Sequence, residues 1–285
     1  MSDHPSYEEI TNLFGLAIPA IDSPELEEAL AESDLTREEK ANQLLMAGQL
    51  EKAIQQFKKV IEESGASQEN LSNLADAYQY GDMLPQALRQ YRKAIKAGEN
   101  RPEPHVGLSE VFRKHGRYSD AAQELEKAID ADPDNAHLRY KLAELLRSAG
   151  FPERALRNVE MAVILAPDDA FYHTWMADLL IQLKRFEPAV DALRAAVELS
   201  PGDDYLYIRT AVAFWGAGRR QDALKAAQLA GDLNPERKVV DGLMLAFYET
   251  IGDHANADIV RKSAAKLDDY DLFELQRMLQ DCGLA

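Results

Sequence analysis

Large apolar side chains recur every 34 residues along the chain, at Leu44, Tyr78, Phe112, Leu146, Leu180, Phe214 and Tyr248. Three columns of small residues keep the same step. One runs Ala53, Ala87, Ala121, Ala155, Ala189, Ala223, Ala257. A second runs Val60, Ala94, Ala128, Ala162, Ala196, Ala230, Ala264. The third is Ala41, Ala75, Ser109, Ala143, Ala177, Ala211, broken by Leu245. Small residues let two helices approach closely, and large ones fill the groove beside them. Glycine returns at Gly48, Gly116, Gly150, Gly218 and Gly252, where a left-handed backbone stops a helix; Asp82 and Lys184 fill the other two slots. Pro85, Pro152 and Pro188 follow that stop, at helix starts where a missing N–H matters little. Pro133, Pro167, Pro201 and Pro235, each 34 residues apart, end the second helix of the four units they fall in. The pattern predicts an all-α chain of repeated helix-turn-helix hairpins.

These columns resemble the tetratricopeptide repeat family. Its pattern of Trp, Leu, Gly, Tyr, Ala, Phe, Ala and Pro is matched in 102–135 by His105, Leu108, Ser109, Phe112, Ala121, Leu125, Ala128 and Pro133. The resemblance implies a right-handed superhelical solenoid. In this phase the seven repeats are 34–67, 68–101, 102–135, 136–169, 170–203, 204–237 and 238–271. Lys40 and Arg261 depart from the pattern in the first and last units. Terminal repeats have a single neighbour, so polar residues are expected there.

Two segments fall outside the repeats. In 272–285, Leu272, Leu275, Met278 and Leu279 share one helical stripe, which predicts a C-terminal capping helix. Residues 1–33 carry eight acids and no Lys or Arg. Ser6 and Glu9 form a capping box ahead of the stripe Ile10, Leu13, Phe14, Ala17, Ile18, and Pro19 ends that helix. Ser23 and Pro24 open a second short helix. The acidic extension has three readings: a cap on the first repeat, a docking helix for its own groove or a neighbouring copy's, or a disordered arm.

Charge narrows the function. A formal net charge of −17 repels phosphate backbones and anionic membranes, so neither nucleic acid nor membrane is an expected partner. The only cysteine, Cys282, leaves no internal disulfide. The N-terminus lacks a secretory pattern and no apolar stretch is membrane-length, so the expected location is cytoplasmic. His4, His105, His115, His137, His173 and His254 make no close helical pair. With no phosphate-binding loop or nucleophile elbow either, no enzyme, metal or cofactor is expected.

The family resemblance implies that the first helix of each unit lines a concave groove. Its inward positions gather cations and aromatics from the third unit to the sixth: Arg113, Lys114, Tyr140, Lys141, Arg147, Phe171, Trp175, Asp178, Tyr205, Arg209 and Trp215. Trp, Tyr and Arg dominate interface hot spots. The expected ligand is therefore a protein segment with an aromatic or apolar anchor and an acidic flank. The competing reading makes Trp175, Tyr205 and Trp215 packing residues, and pairs Asp76, Glu110, Glu144 and Asp178 with cations of the next unit. A chaperone-type carboxylate clamp is rejected: Asn42 and Asn73 match, but Glu38, Glu103 and Gly107 occupy its cationic slots. The expected function is a peptide-binding scaffold or adaptor of the co-chaperone kind. The alternative is a self-assembling protein whose N-terminal helix docks in its own or a neighbouring copy's groove.

Overall fold

The computed structural model describes residues 35–98 and 100–284, together with Leu30 and Ser33. The helices expected before residue 30 lie outside the described residues. Among those described, every regular element is an α-helix. The chain divides into two units, Met1–Asp132 and Pro133–Ala285.

The first unit holds α1 (Arg37–Met46), α2 (Leu50–Ser64), α3 (Gln68–Tyr80), α4 (Leu84–Ala97), α5 (Glu103–Lys114) and α6 (Tyr118–Ala131). Each helix packs on the next, and Leu44, Phe57, Leu74 and Tyr91 lie in the core they share. The Tyr91 hydroxyl donates to Asp76 at 2.5 Å, and the ring passes so close to Gly107 that a Cβ there would overlap it.

The second unit holds α7 (Ala136–Ser148), α8 (Pro152–Leu165), α9 (Ala170–Gln182), α10 (Phe186–Leu199), α11 (Asp204–Gly216), α12 (Arg220–Leu233), α13 (Val239–Ile251), α14 (His254–Ala264) and α15 (Asp269–Cys282). Asn135, Asp169 and Asp203 cap α7, α9 and α11 by accepting backbone N–H bonds, which satisfies donors the first helical turn leaves unpaired. The alanine columns are the contact faces: Ala155, Ala189 and Ala223, with Ala162, Ala196 and Ala230, have no exposed surface. The hairpin turns use positive φ at Gly150 (84°), Gly218 (79°) and Gly252 (76°). Lys184 adopts the same conformation at φ 58° without glycine's freedom. A side chain in the left-handed region costs about 1 kcal/mol, so something must hold this lysine.

The C-terminal helix differs from the expectation in extent and in placement. It begins at Asp269, ahead of the expected 272–285 segment, behind a capping box formed by Asp268 and Asp271. It packs against α9, α11 and α13, the first helices of three successive hairpins, and does not merely cover the last one.

Candidate functional site

On α7 and α9 of the second unit, aromatic rings gather around Tyr140. Its ring centroid lies 4.9 Å from Phe171 and 4.9 Å from Trp175, both edge-on, and 6.2 Å from Tyr172. Edge-to-face packing of this kind places the positive ring edge on a negative face. His137 adds a ring at 5.7 Å. The Arg147 guanidinium carbon stands 4.3 Å above the Trp175 ring, a cation–π contact that fixes both. Tyr140, Trp175, Lys141 and Arg147 are half-buried, and Phe171 is 46% exposed. The patch therefore combines rigid aromatic surface with two cations that still reach solvent.

The local electrostatics follow from partial burial. Burial and the Glu144 carboxylate push the Tyr140 phenol above its ordinary range, so it stays a neutral donor. Burial and the neighbouring Lys141 push the His137 imidazole down, so it is neutral at pH 7. A trough of about 750 Å³ continues from the patch between α9 and α11, bordered by Phe171, Thr174, Trp175, Asp178, Tyr205 and Leu206.

The remaining expected site residues separate from the patch. Arg209 is 5% exposed and donates to Asp178 at 2.6 Å and to Asp281 of α15 at 3.0 Å. Burial alone would push its guanidinium down, but the two carboxylates hold it up, and its charge is committed to them. Tyr205 is half-buried, with Arg237 5.7 Å from its ring; burial and Asp178 push its phenol up. Trp215 is a correction. It is 1% exposed, stacked on Phe247 of α13 at 3.9 Å and 4°, with Arg220 4.1 Å over its other side. Its position points inward, but the next first helix covers it, so it packs hairpins together and cannot meet a ligand. Arg113 and Lys114 belong to the first unit, exposed at the end of α5, where Arg113 pairs with Glu110 of the same helix at 2.7 Å.

Among the described residues, no three His, Cys, Asp or Glu side chains are grouped to hold a metal. No described helix is long and apolar enough to cross a membrane.

Three tetratricopeptide repeat models match the chain, over residues 72–136, 112–179 and 172–203. Residues 72–203 are tetratricopeptide repeats. Solved structures of similar fold include YrrB, described as a tetratricopeptide repeat protein with an unusual peptide-binding site. It is 26% identical at a TM-score of 0.54, over 63% of this chain and 93% of that one. A segment of MamA from Desulfovibrio magneticus aligns at 20% identity and TM-score 0.54, over 63% of this chain and 97% of its own. The C-terminal part of a repeat protein from Cytophaga hutchinsonii aligns at 17% identity and TM-score 0.69, over 84% and 99%. No curated protein sequence matches.

Within this tetratricopeptide repeat array, three features of the structure escaped the residue pattern. Tyr172, itself buried, enters the aromatic cluster from outside the expected inward stripe. Arg237 bridges Asp204 at 2.9 Å and Glu274 of α15 at 3.5 Å. Lys184 donates to the carbonyls of Gln280 and Asp281, each at 3.0 Å. Only the last had a signal in the sequence: a lysine in a glycine slot.

Proposed function

We propose that the protein is a non-enzymatic scaffold that grips a segment of another protein on the first-helix surface of its second unit. The carrying observation is the half-exposed cluster of Tyr140, Phe171 and Trp175 with Arg147 seated over the indole. Rings already held by their neighbours lose little freedom when a ligand arrives, which is what makes such surfaces hot spots. The ligand's aromatic or apolar side chain packs on Phe171 and Trp175. Its acidic flank meets Lys141 and Arg147, where the chain concentrates cations against its overall charge. The peptide-binding site of the similar YrrB supports a protein ligand for this fold. The cytoplasm is the proposed location, where acidic repeat scaffolds stay soluble and unpaired thiols stay reduced.

A random peptide display library panned on the full chain tests this. The expected winners carry an aromatic residue beside Asp or Glu. They should lose at least ten-fold in affinity on Trp175→Ala, while that variant keeps its helical circular dichroism. Winners that bind Trp175→Ala and Tyr140→Ala as well as the unaltered chain would place the ligand elsewhere.

A further inference from the structure

The helix α15 lies on the surface that the first helices α9, α11 and α13 form together. Its attachment is built from three separated cations. Arg209 of α11 takes Asp281 at 3.0 Å, Arg237 ahead of α13 takes Glu274 at 3.5 Å, and Lys184 receives the carbonyl ends of the helix at Gln280 and Asp281. A cation at a helix C-terminus also meets the negative end of its dipole. Lys184 stands in the left-handed turn position that glycine fills in the neighbouring hairpins. Gly242 of α13 supplies the close approach, since a Cβ there would stand 2.7 Å from the Leu275 side chain.

The helix divides into two faces: Met278 and Cys282 are buried and Leu275 and Leu279 half-buried against the array, while Tyr270, Leu272 and Phe273 are half to two-thirds exposed. The ion pairs are partly buried, with Arg209 sealed under the helix while Asp281 and Glu274 still touch solvent. Every one of these contacts is one that another acidic amphipathic helix could reproduce.

We propose that the α9–α11–α13 surface is a helix-binding groove that α15 fills in the resting chain, and that an acidic amphipathic helix of a partner protein enters by replacing it. The inference rests on the reading that the first-helix surface holds protein segments. The entering helix puts a carboxylate on Arg209, an apolar side chain in the seat of Met278, and its last carbonyls on Lys184. This is the helix-in-groove mode of recognition, with α15 as the template for the ligand. Because α15 is tethered, it competes at a high effective concentration, so a partner binds the closed chain more weakly than an opened one.

The probe is a fluorescent peptide of residues 268–284 carrying Cys282→Ser, titrated into the full chain. Cys282 of the full chain is the only thiol present, and its labelling by a thiol reagent reports the lifting of α15. Saturable binding is expected, at least ten-fold tighter to the Asp281→Lys full chain than to the unaltered one. Saturating peptide should speed Cys282 labelling of the unaltered chain at least ten-fold. Met278→Ala serves as the second opened variant, since it weakens the seat of α15 without adding charge or altering a groove residue. No binding to either opened variant, with their helical signal intact, would make α15 a fixed cap and overturn the inference. Binding that leaves Cys282 labelling unchanged and is lost in Trp175→Ala would also overturn it, while leaving the aromatic patch standing as a ligand site. A dimer in light scattering that Asp281→Lys dissociates would assign the groove to a second copy's α15 and refute the partner helix.

Discussion

Arg209 and Asp281 meet at 3.0 Å although 72 residues separate them in sequence. With Asp178 on its other side, the guanidinium is sandwiched between a carboxylate of its own repeat array and one of α15. Removing the cation leaves two carboxylates facing each other at a poorly hydrated site. Arg209→Met should therefore destabilise the second unit by about 2–4 kcal/mol, whereas Asp281→Asn, which keeps a hydrogen-bonding group on a partly exposed partner, should cost about 1 kcal/mol or less. Urea unfolding followed by circular dichroism measures both; equal effects would mean that the pair with Asp178 carries no weight.

The two tryptophans should separate cleanly in a stability measurement. Trp215→Ala opens a cavity beside Phe247 in a sealed interface and should cost about 3–5 kcal/mol. Trp175→Ala acts on a half-exposed ring and should cost about 1.5 kcal/mol or less. In acrylamide quenching, Trp175→Phe should abolish most of the quenchable emission, and Trp215→Phe should leave it.

Lys184→Gly relieves a left-handed side chain, a gain of about 1 kcal/mol for the α9–α10 turn. The same change deletes the donor to two carbonyls of α15. Thermal melting of the array should stay level or rise by a degree or two, while backbone amides of 269–282 exchange with deuterium at least ten-fold faster. Unchanged exchange there would show that the lysine does not hold the helix.

In the first unit, Glu124 accepts from His105 at 2.7 Å and from Lys127 at 2.8 Å. Burial pushes its carboxyl up, but the His105 and Lys127 hydrogen bonds and the Lys127 charge outweigh it, holding it below the ordinary 4.5. A depressed carboxyl gives stability that is complete above the unfolded-state value and lost as pH falls through the folded one. Glu124→Gln should thus lower stability at pH 7 and flatten its decline below about pH 4.5, as read from melting temperatures across pH 3–7.

The hairpins were legible because their contacts are local and repeat at a fixed step: an alanine that two helices share must return wherever the pair returns. Tyr140, Phe171 and Trp175 were legible as one inward stripe for the same reason. Trp215 was not, since whether an inward ring is open or covered depends on what the following first helix brings, here Phe247. The stripe Leu272, Leu275, Met278 and Leu279 announced a helix but not its seat. That seat is set by Arg209, Arg237 and Lys184, whose carboxylate and carbonyl partners lie too far along the chain for any periodic pattern to pair. The lysine in a glycine slot was visible, but its reason lies about a hundred residues away.

A stack of helical hairpins ordinarily holds each member by its immediate neighbours alone, so it melts inward from a loose end, one pair at a time. By bridging α9, α11 and α13, α15 ties three non-consecutive helices to one another. While α15 is seated the final hairpins are joined into one cooperative block, and its displacement would return that end of the array to fraying pair by pair.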